Sequence, residues 1–154
     1  MRIKSRRGMT LVELIVSFTI LALLTTMALP LARYKVRRDR ERELRFALRE
    51  MRTAIDRYKD LADQGQLGTQ SVDSDNYPQT LEVLVEGVTQ TGTVDKKIRF
   101  LRRIPKDPMT NSYEWGLRST RDDPKSSSWG GQNVFDVYTK SLERAADGTP
   151  YSEW

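Results

Sequence analysis

Between Leu14 and Ala32 the chain runs for 19 residues without a charge. At a rise of 1.5 Å per residue such a stretch spans about 28 Å as a helix, close to the thickness of bilayer hydrocarbon. Seventeen of the 24 residues 9–32 are apolar, against 39 of the 122 residues 33–154. That remainder can bury one modest core, but it cannot also wrap a helix that is hydrophobic all round. The run therefore reads as a membrane helix, residues 9–32, and the rest of the 154-residue chain as one small domain on an extension.

Two residues disturb a plain anchor. Glu13 stands at the edge of the run, where a carboxylate drawn toward the bilayer centre costs on the order of 2–3 kcal/mol, so it either reaches the interface or finds a partner. Pro30 removes a backbone donor and clashes with the preceding turn, which predicts a kink or a local opening near Thr26. Ser17, Thr19, Thr25 and Thr26 are placed to satisfy freed backbone groups or to bond across helices.

Charge is distributed unevenly. Of the formal net charge of +5, residues 1–8 carry +4 through Arg2, Lys4, Arg6 and Arg7, and residues 61–154 carry 11 basic against 14 acidic side chains. The basic run Arg33–Arg49 is interleaved with acids and lacks aromatic platforms, so it reads as a solvated face and not as a nucleic-acid surface. With no cysteine and no histidine, the chain lacks disulfides, thiolate nucleophiles and most metal and triad chemistry.

The segment Lys4-Ser5-Arg6-Arg7-Gly8-Met9-Thr10-Leu11-Val12-Glu13-Leu14, followed by the apolar run and Pro30, resembles the processing site of type IV prepilins and pseudopilins. The resemblance implies a leader over residues 1–8, cleavage between Gly8 and Met9 by a prepilin peptidase, and N-methylation of Met9. It further implies that Glu13 pairs with the Met9 amine of a neighbouring subunit, which is physically sensible because a carboxylate and an ammonium are each costly in lipid alone and much less so together. Ser5-Arg6-Arg7-Gly8-Met9 also resembles the start of a twin-arginine signal peptide, which would release a soluble binding domain or enzyme. The length of the apolar run, Glu13 at its start and the lack of a small-x-small site near Ala32 argue against that.

Residues 33–64 continue as an amphipathic stem. Leu44, Leu48, Met51, Ile55, Tyr58 and Ala62 follow a 4-3-4-3-4 spacing, a narrow apolar seam suited to packing on a small sheet. Glu41–Arg45, Arg52–Asp56, Asp39–Arg42 and Asp56–Lys59 are spaced for ion pairs on the exposed face. The eight Lys and Arg residues between Arg33 and Arg49 would place the stem in the cytoplasm by the positive-inside count, whereas the resemblance implies the periplasm. The polar loop from Gln64 to Ser71 ends the helix, and a head follows within residues 65–154.

In the head, Thr80 is expected to cap a short helix Leu81–Glu86 stopped by Gly87, and Tyr113–Leu117 and Val134–Tyr138 read as antiparallel strands. Ile104-Pro105-Lys106-Asp107-Pro108 reads as a fixed loop. These pieces, with Tyr77-Pro78-x-x-Leu81, Asn111-x-Tyr113-x-Trp115, Phe135-Asp136-Val137-Tyr138 and Ala146-Asp147-Gly148, resemble the head of the major pseudopilin of type II secretion systems. The implied fold is α+β and pilin-like, a long N-terminal helix packed on a small antiparallel sheet. The implied setting is a single-pass protein of the bacterial inner membrane with a periplasmic head. Its partners would be further copies in a helical filament, other pseudopilins and the secretion platform, with no nucleic acid and no catalysis. A subunit of a type IV pilus or competence filament is the neighbouring alternative. The resemblance also implies calcium at Asp147, although only Glu153 follows as a carboxylate and Asp147-Gly148-Thr149-Pro150 equally suits a tight turn.

Overall fold

The computed structural model describes residues 10–68, 71–92 and 96–154. One helix dominates, α1 over Leu11–Asp63, followed by a short α2 over Glu82–Glu86 and four brief strands: β1 Val88–Thr89, β2 Lys97–Ile98, β3 Gly116–Arg118 and β4 Asp136–Tyr138. Single 3-10 turns lie at Val72–Ser74 and Tyr151–Glu153. The architecture is α+β, as expected, but the sheet is divided into two antiparallel pairs. β1 pairs with β2 in the register Val88↔Ile98, and β3 pairs with β4 in the register Gly116↔Tyr138. The chain falls into two compact units, Met1–Asp39 and Arg40–Trp154.

Within Arg40–Trp154 the core forms along the expected seam. Leu44, Leu48, Met51, Ile55, Tyr58 and Ala62 are all buried, joined by Ala47 and Ala54. Against them pack Leu67, Leu81, Leu84, Leu101, Trp115, Val134, Val137 and Tyr151. Alternating three- and four-residue steps keep one narrow stripe of the helix inward, which is what a small head can cover. Three aromatic contacts finish the packing; in one of them the Tyr58 and Phe100 rings lie 5.3 Å apart.

The end of α1 is set by backbone chemistry. The Gln66 N–H bonds the Leu61 carbonyl and the Gly65 N–H bonds the Ala62 carbonyl, each at 3.0 Å, with Gly65 at φ 66°. That pair of bonds around a left-handed residue is a Schellman cap, and the absence of a Cβ makes the conformation cheap. α2 differs from expectation at its start. The N-cap residue is Leu81, itself helical at φ −67° and ψ −28°, with no side-chain cap from Thr80. The reason is packing, since burying Leu81 together with Leu84 three residues on requires residue 81 to be on the helix already. The Leu84 carbonyl then accepts from both Phe100 and Leu101, at 2.9 and 3.0 Å.

β3 begins later than expected, at Gly116. Residues before it are held by a turn centred on Asp107, whose N–H bonds the Ser112 carbonyl at 2.8 Å. Gly116 is required by its cross-strand partner: a Cβ there would lie 2.2 Å from Cζ of the Tyr138 ring. The ring is packed flat over the bare backbone, with the Arg118 guanidinium 4.1 Å from its centroid and its hydroxyl donating to the Ser127 carbonyl.

Two of the ion pairs expected along the stem, Arg52–Asp56 and Asp56–Lys59, are redirected. Arg52 does not turn to Asp56 but donates to Asp136 Oδ1 at 2.7 Å, and also to the Val137 and Trp154 carbonyls. Lys59 bonds Asp63 at 2.6 Å. Asp136 is shared with the largely buried Arg118, whose Nη1 lies 3.5 Å from Oδ2. A planar guanidinium that meets a carboxylate and two carbonyls gains more than an exposed i,i+4 pair, which contributes only a few tenths of a kcal/mol.

Candidate assembly segment

The unit Met1–Asp39 presents the opposite chemistry. α1 opens on Thr10, whose Oγ1 accepts from the Glu13 N–H at 3.3 Å and whose carbonyl accepts from the Leu14 N–H at 3.1 Å. Thr10 is thus an N-cap, and Glu13 is the acidic residue of the first turn. A carboxylate at this position faces the positive end of the helix dipole, so the spacing Thr10-x-x-Glu13 stabilises the helix start whatever else Glu13 contacts. Glu13 is exposed among the described residues. Gly8 and Met9, the expected processing positions, lie outside the described residues.

After that first turn every large apolar side chain from Leu11 to Leu24 is at least half exposed: Phe18 at 75 %, Leu11 at 73 % and Val12 at 68 %, and even the lowest, Leu14, at 50 %. The apolar side chains point in all directions around the axis, so no single face of the unit is left polar. A surface of this kind is stable only against lipid or against other protein.

Three threonine side chains of the segment are used locally. Thr19 Oγ1 donates to the Ile15 carbonyl, Thr25 to Leu21 and Thr26 to Leu23, at 2.7 to 2.8 Å. Each hydroxyl is satisfied on its own helix, so these bonds do not require a cross-helix partner. α1 continues through Pro30 as helix. Pro30 is exposed and leaves the Thr26 carbonyl without the usual N–H, so it remains the one built-in weak point of the run. Among the described residues no helix is long and apolar enough to cross a membrane. The side chains of Met27, Ala28, Leu29 and Leu31, which belong to the 19-residue uncharged run, lie outside that description.

Asp147 is placed in a tight turn. Its Oδ1 accepts from both the N–H and the hydroxyl of Thr149, at 2.9 and 2.6 Å. Those bonds, with a smaller contribution from the Arg45 charge, hold its carboxyl below the usual aspartate range. Among the described residues no group of three or more His, Cys, Asp or Glu is arranged to hold a metal ion. One carboxylate whose oxygen already takes two bonds does not fit a cation that needs six to eight oxygens.

Among the described residues the proline-bounded loop holds the one buried carboxylate, and sequence reasoning missed it. Asp107 is fully buried and accepts from the Met109 N–H and from the hydroxyls of Thr110 and Thr139, the last at 2.6 Å. Its oxygens are consumed by structure, as is Trp115, whose indole N–H donates to the Pro105 carbonyl. Asn133 plays the same part between loops, bonding the Ser74 carbonyl and the Thr120 N–H and hydroxyl. Two prolines bracketing an Asp were a signal for a fixed loop, but its partner Thr139, 32 residues away, was not legible.

A family model described as the prokaryotic N-terminal methylation motif matches residues 3–29. No curated protein and no solved structure matches the chain. The matched stretch contains Gly8, Met9, Thr10 and Glu13 and most of the exposed apolar helix. The N-terminus is therefore a prepilin-type motif, of the kind typical of type IV pilin-like subunits, which are substrates of a prepilin peptidase and are not typically enzymes.

Proposed function

We propose that the chain, starting from that motif, is a pseudopilin. It enters the bacterial inner membrane through residues 9–32, loses residues 1–8 by cleavage between Gly8 and Met9, and polymerises into the periplasmic filament of a type II secretion system. The observation that carries this reading is a coincidence of place: the methylation motif over residues 3–29 ends in a helix whose apolar side chains, Leu11 to Leu24, have no cover of their own. Lipid covers them before assembly and neighbouring copies cover them afterwards.

Assembly, on this reading, is an exchange of environments at little net cost, since lipid tails and packed side chains are comparably apolar. Glu13 supplies register, because its carboxylate is tolerable in a dry core only opposite a cation such as the Met9 amine of the next copy. The missing bond at Pro30 lets the helix open locally during extraction. The head, held on the seam Leu44–Ala62, stays folded throughout.

A strain lacking the chain should lose export of secreted proteins through the outer membrane and keep its surface pili, with export restored by the wild-type chain. Loss of pili with export intact would move the chain to the type IV pilus reading. Under the secretion reading, Glu13→Ala should be processed normally yet fail to restore export.

A further inference from the structure

The apolar run ends abruptly in charge. Arg33, Lys35, Arg37 and Arg38 fall in the six residues after Ala32, with Tyr34 and Val36 between them and no acid. From Asp39 to Glu43 the balance reverses, to two cations against three carboxylates. The basic excess is therefore confined to one short band at the end of the unit Met1–Asp39. A face made only for solvation has no reason to concentrate its cations there.

Helix geometry gives the band a depth and a shape. α1 runs through it as helix, and all six side chains are exposed. At 1.5 Å per residue, Arg38 stands about 9 Å beyond Ala32 along the axis. The headgroup layer of a bilayer adds roughly 5–7 Å on each side of the hydrocarbon, and the long stems of Lys and Arg let their charges shift along the axis to meet it. A helix whose uncharged run fills the hydrocarbon thus holds all four cations at headgroup depth. At about 100° per residue, Arg33 and Arg37 point to one side of the axis and Lys35 and Arg38 to the other. A patch for a single protein partner gathers on one side, whereas a collar suits small anionic ligands surrounding the helix. Tyr34, 58 % exposed and with the Arg38 guanidinium 5.9 Å from its ring centroid, is an amphipathic aromatic of the kind that favours the same interface.

We propose that Arg33, Lys35, Arg37 and Arg38 form a collar that binds the phosphates of anionic phospholipids in the leaflet where the helix leaves the membrane. Guanidinium and ammonium groups suit that ligand, the first as a bidentate fork and the second as a point charge. The collar fixes the depth of the helix before assembly, and extraction has to break its contacts. The inference rests on residues 9–32 entering the membrane, as read above, and is independent of what the filament does.

The full chain carrying photoreactive benzoylphenylalanine in place of Val36 is reconstituted into vesicles of equal parts phosphatidylglycerol and phosphatidylethanolamine. After illumination, the lipid adducts are identified by mass spectrometry. The proposal predicts several-fold more phosphatidylglycerol than phosphatidylethanolamine adduct, falling to near parity in R33Q/K35Q/R37Q/R38Q and at high salt. The leader variant R2Q/K4Q/R6Q/R7Q should keep the wild-type ratio, and its collapse there would replace a local collar with a general charge effect and overturn the proposal. Near-equal adducts from the wild-type chain, or adducts chiefly to a second copy, also overturn it while the chain resists alkaline carbonate extraction. Release of the chain by carbonate overturns the membrane reading together with the collar.

Discussion

Leu11–Leu24 and Leu44–Ala62 are two stretches of one helix with similar numbers of apolar residues, 11 of 14 and 10 of 19, and they dispose of them in opposite ways. In the second, alternating three- and four-residue steps gather Leu44, Leu48, Met51, Ile55, Tyr58 and Ala62 into one stripe, and the head buries all of it. In the first, the same kinds of residue surround the axis and every large apolar side chain is exposed. Apolar content alone does not say what covers a helix; its angular distribution does. A stripe identifies a partner within the chain, and a full cylinder identifies an environment outside it.

The contrast is broken most severely by substitution in the stripe. Ile55→Ala removes fully buried methyl groups and should lower the stability of the head by about 2–5 kcal/mol in urea unfolding of the full chain in detergent. Leu21→Ala should change that stability by less than about 0.5 kcal/mol, because its side chain is 61 % exposed, while reducing filament yield. Equal destabilisation by both would erase the distinction between the two stretches.

A smaller effect is expected at the polar clamp. Asp136→Ala leaves the Arg118 guanidinium largely buried without its carboxylate and leaves Arg52 only its two carbonyl partners, and should cost about 1–3 kcal/mol by the same unfolding measurement. Gly116→Ala should cost a similar ~1–3 kcal/mol through its clash with the Tyr138 ring, and should be milder in a Tyr138→Ala background. Additive losses in that double variant would mean the ring is not the cause.

The smallest effects concern the acidic turns. Hydrogen bonds from Thr149 depress the Asp147 carboxyl, and bonds from Lys59 and then Asn76 depress Asp63. A carboxyl depressed on folding contributes stability above its unfolded value, and that contribution is lost as pH falls through the folded one. Its window is therefore acidic, below about pH 4. Thr149→Val should raise the Asp147 titration midpoint toward the ordinary aspartate value in carboxyl NMR, with little change at neutral pH. Millimolar calcium should leave the thermal midpoint of the head unchanged. A calcium-dependent rise of several degrees would return Asp147 to the role the family resemblance implied.

These expectations track what periodicity can carry. The seam is legible because six residues repeat one angular offset, and the helix end because Gly65 takes a backbone conformation that favours glycine. β1 and β2 escaped notice because two residues are too few for an alternating pattern. Asp107, Asn133 and Arg118 are polar or charged and belong to no periodic pattern, yet all three are buried. Apart from Met109 and Thr110, which Asp107 reaches within its own turn, the partners of their side chains lie 8 to 59 residues away in sequence, and no local pattern encodes such pairings. Arg52 misled for the same reason, since Asp56 is the nearer acid and Asp136 the better-placed one.

The most direct test of the central claim, that the exposed helix is the assembling end of a processed subunit, is the mass of the N-terminal peptide of the chain from its native membrane fraction. The account predicts a chain beginning at N-methylated Met9. A chain beginning near Arg33, or one still carrying Met1 where the processing peptidase is active, would contradict it.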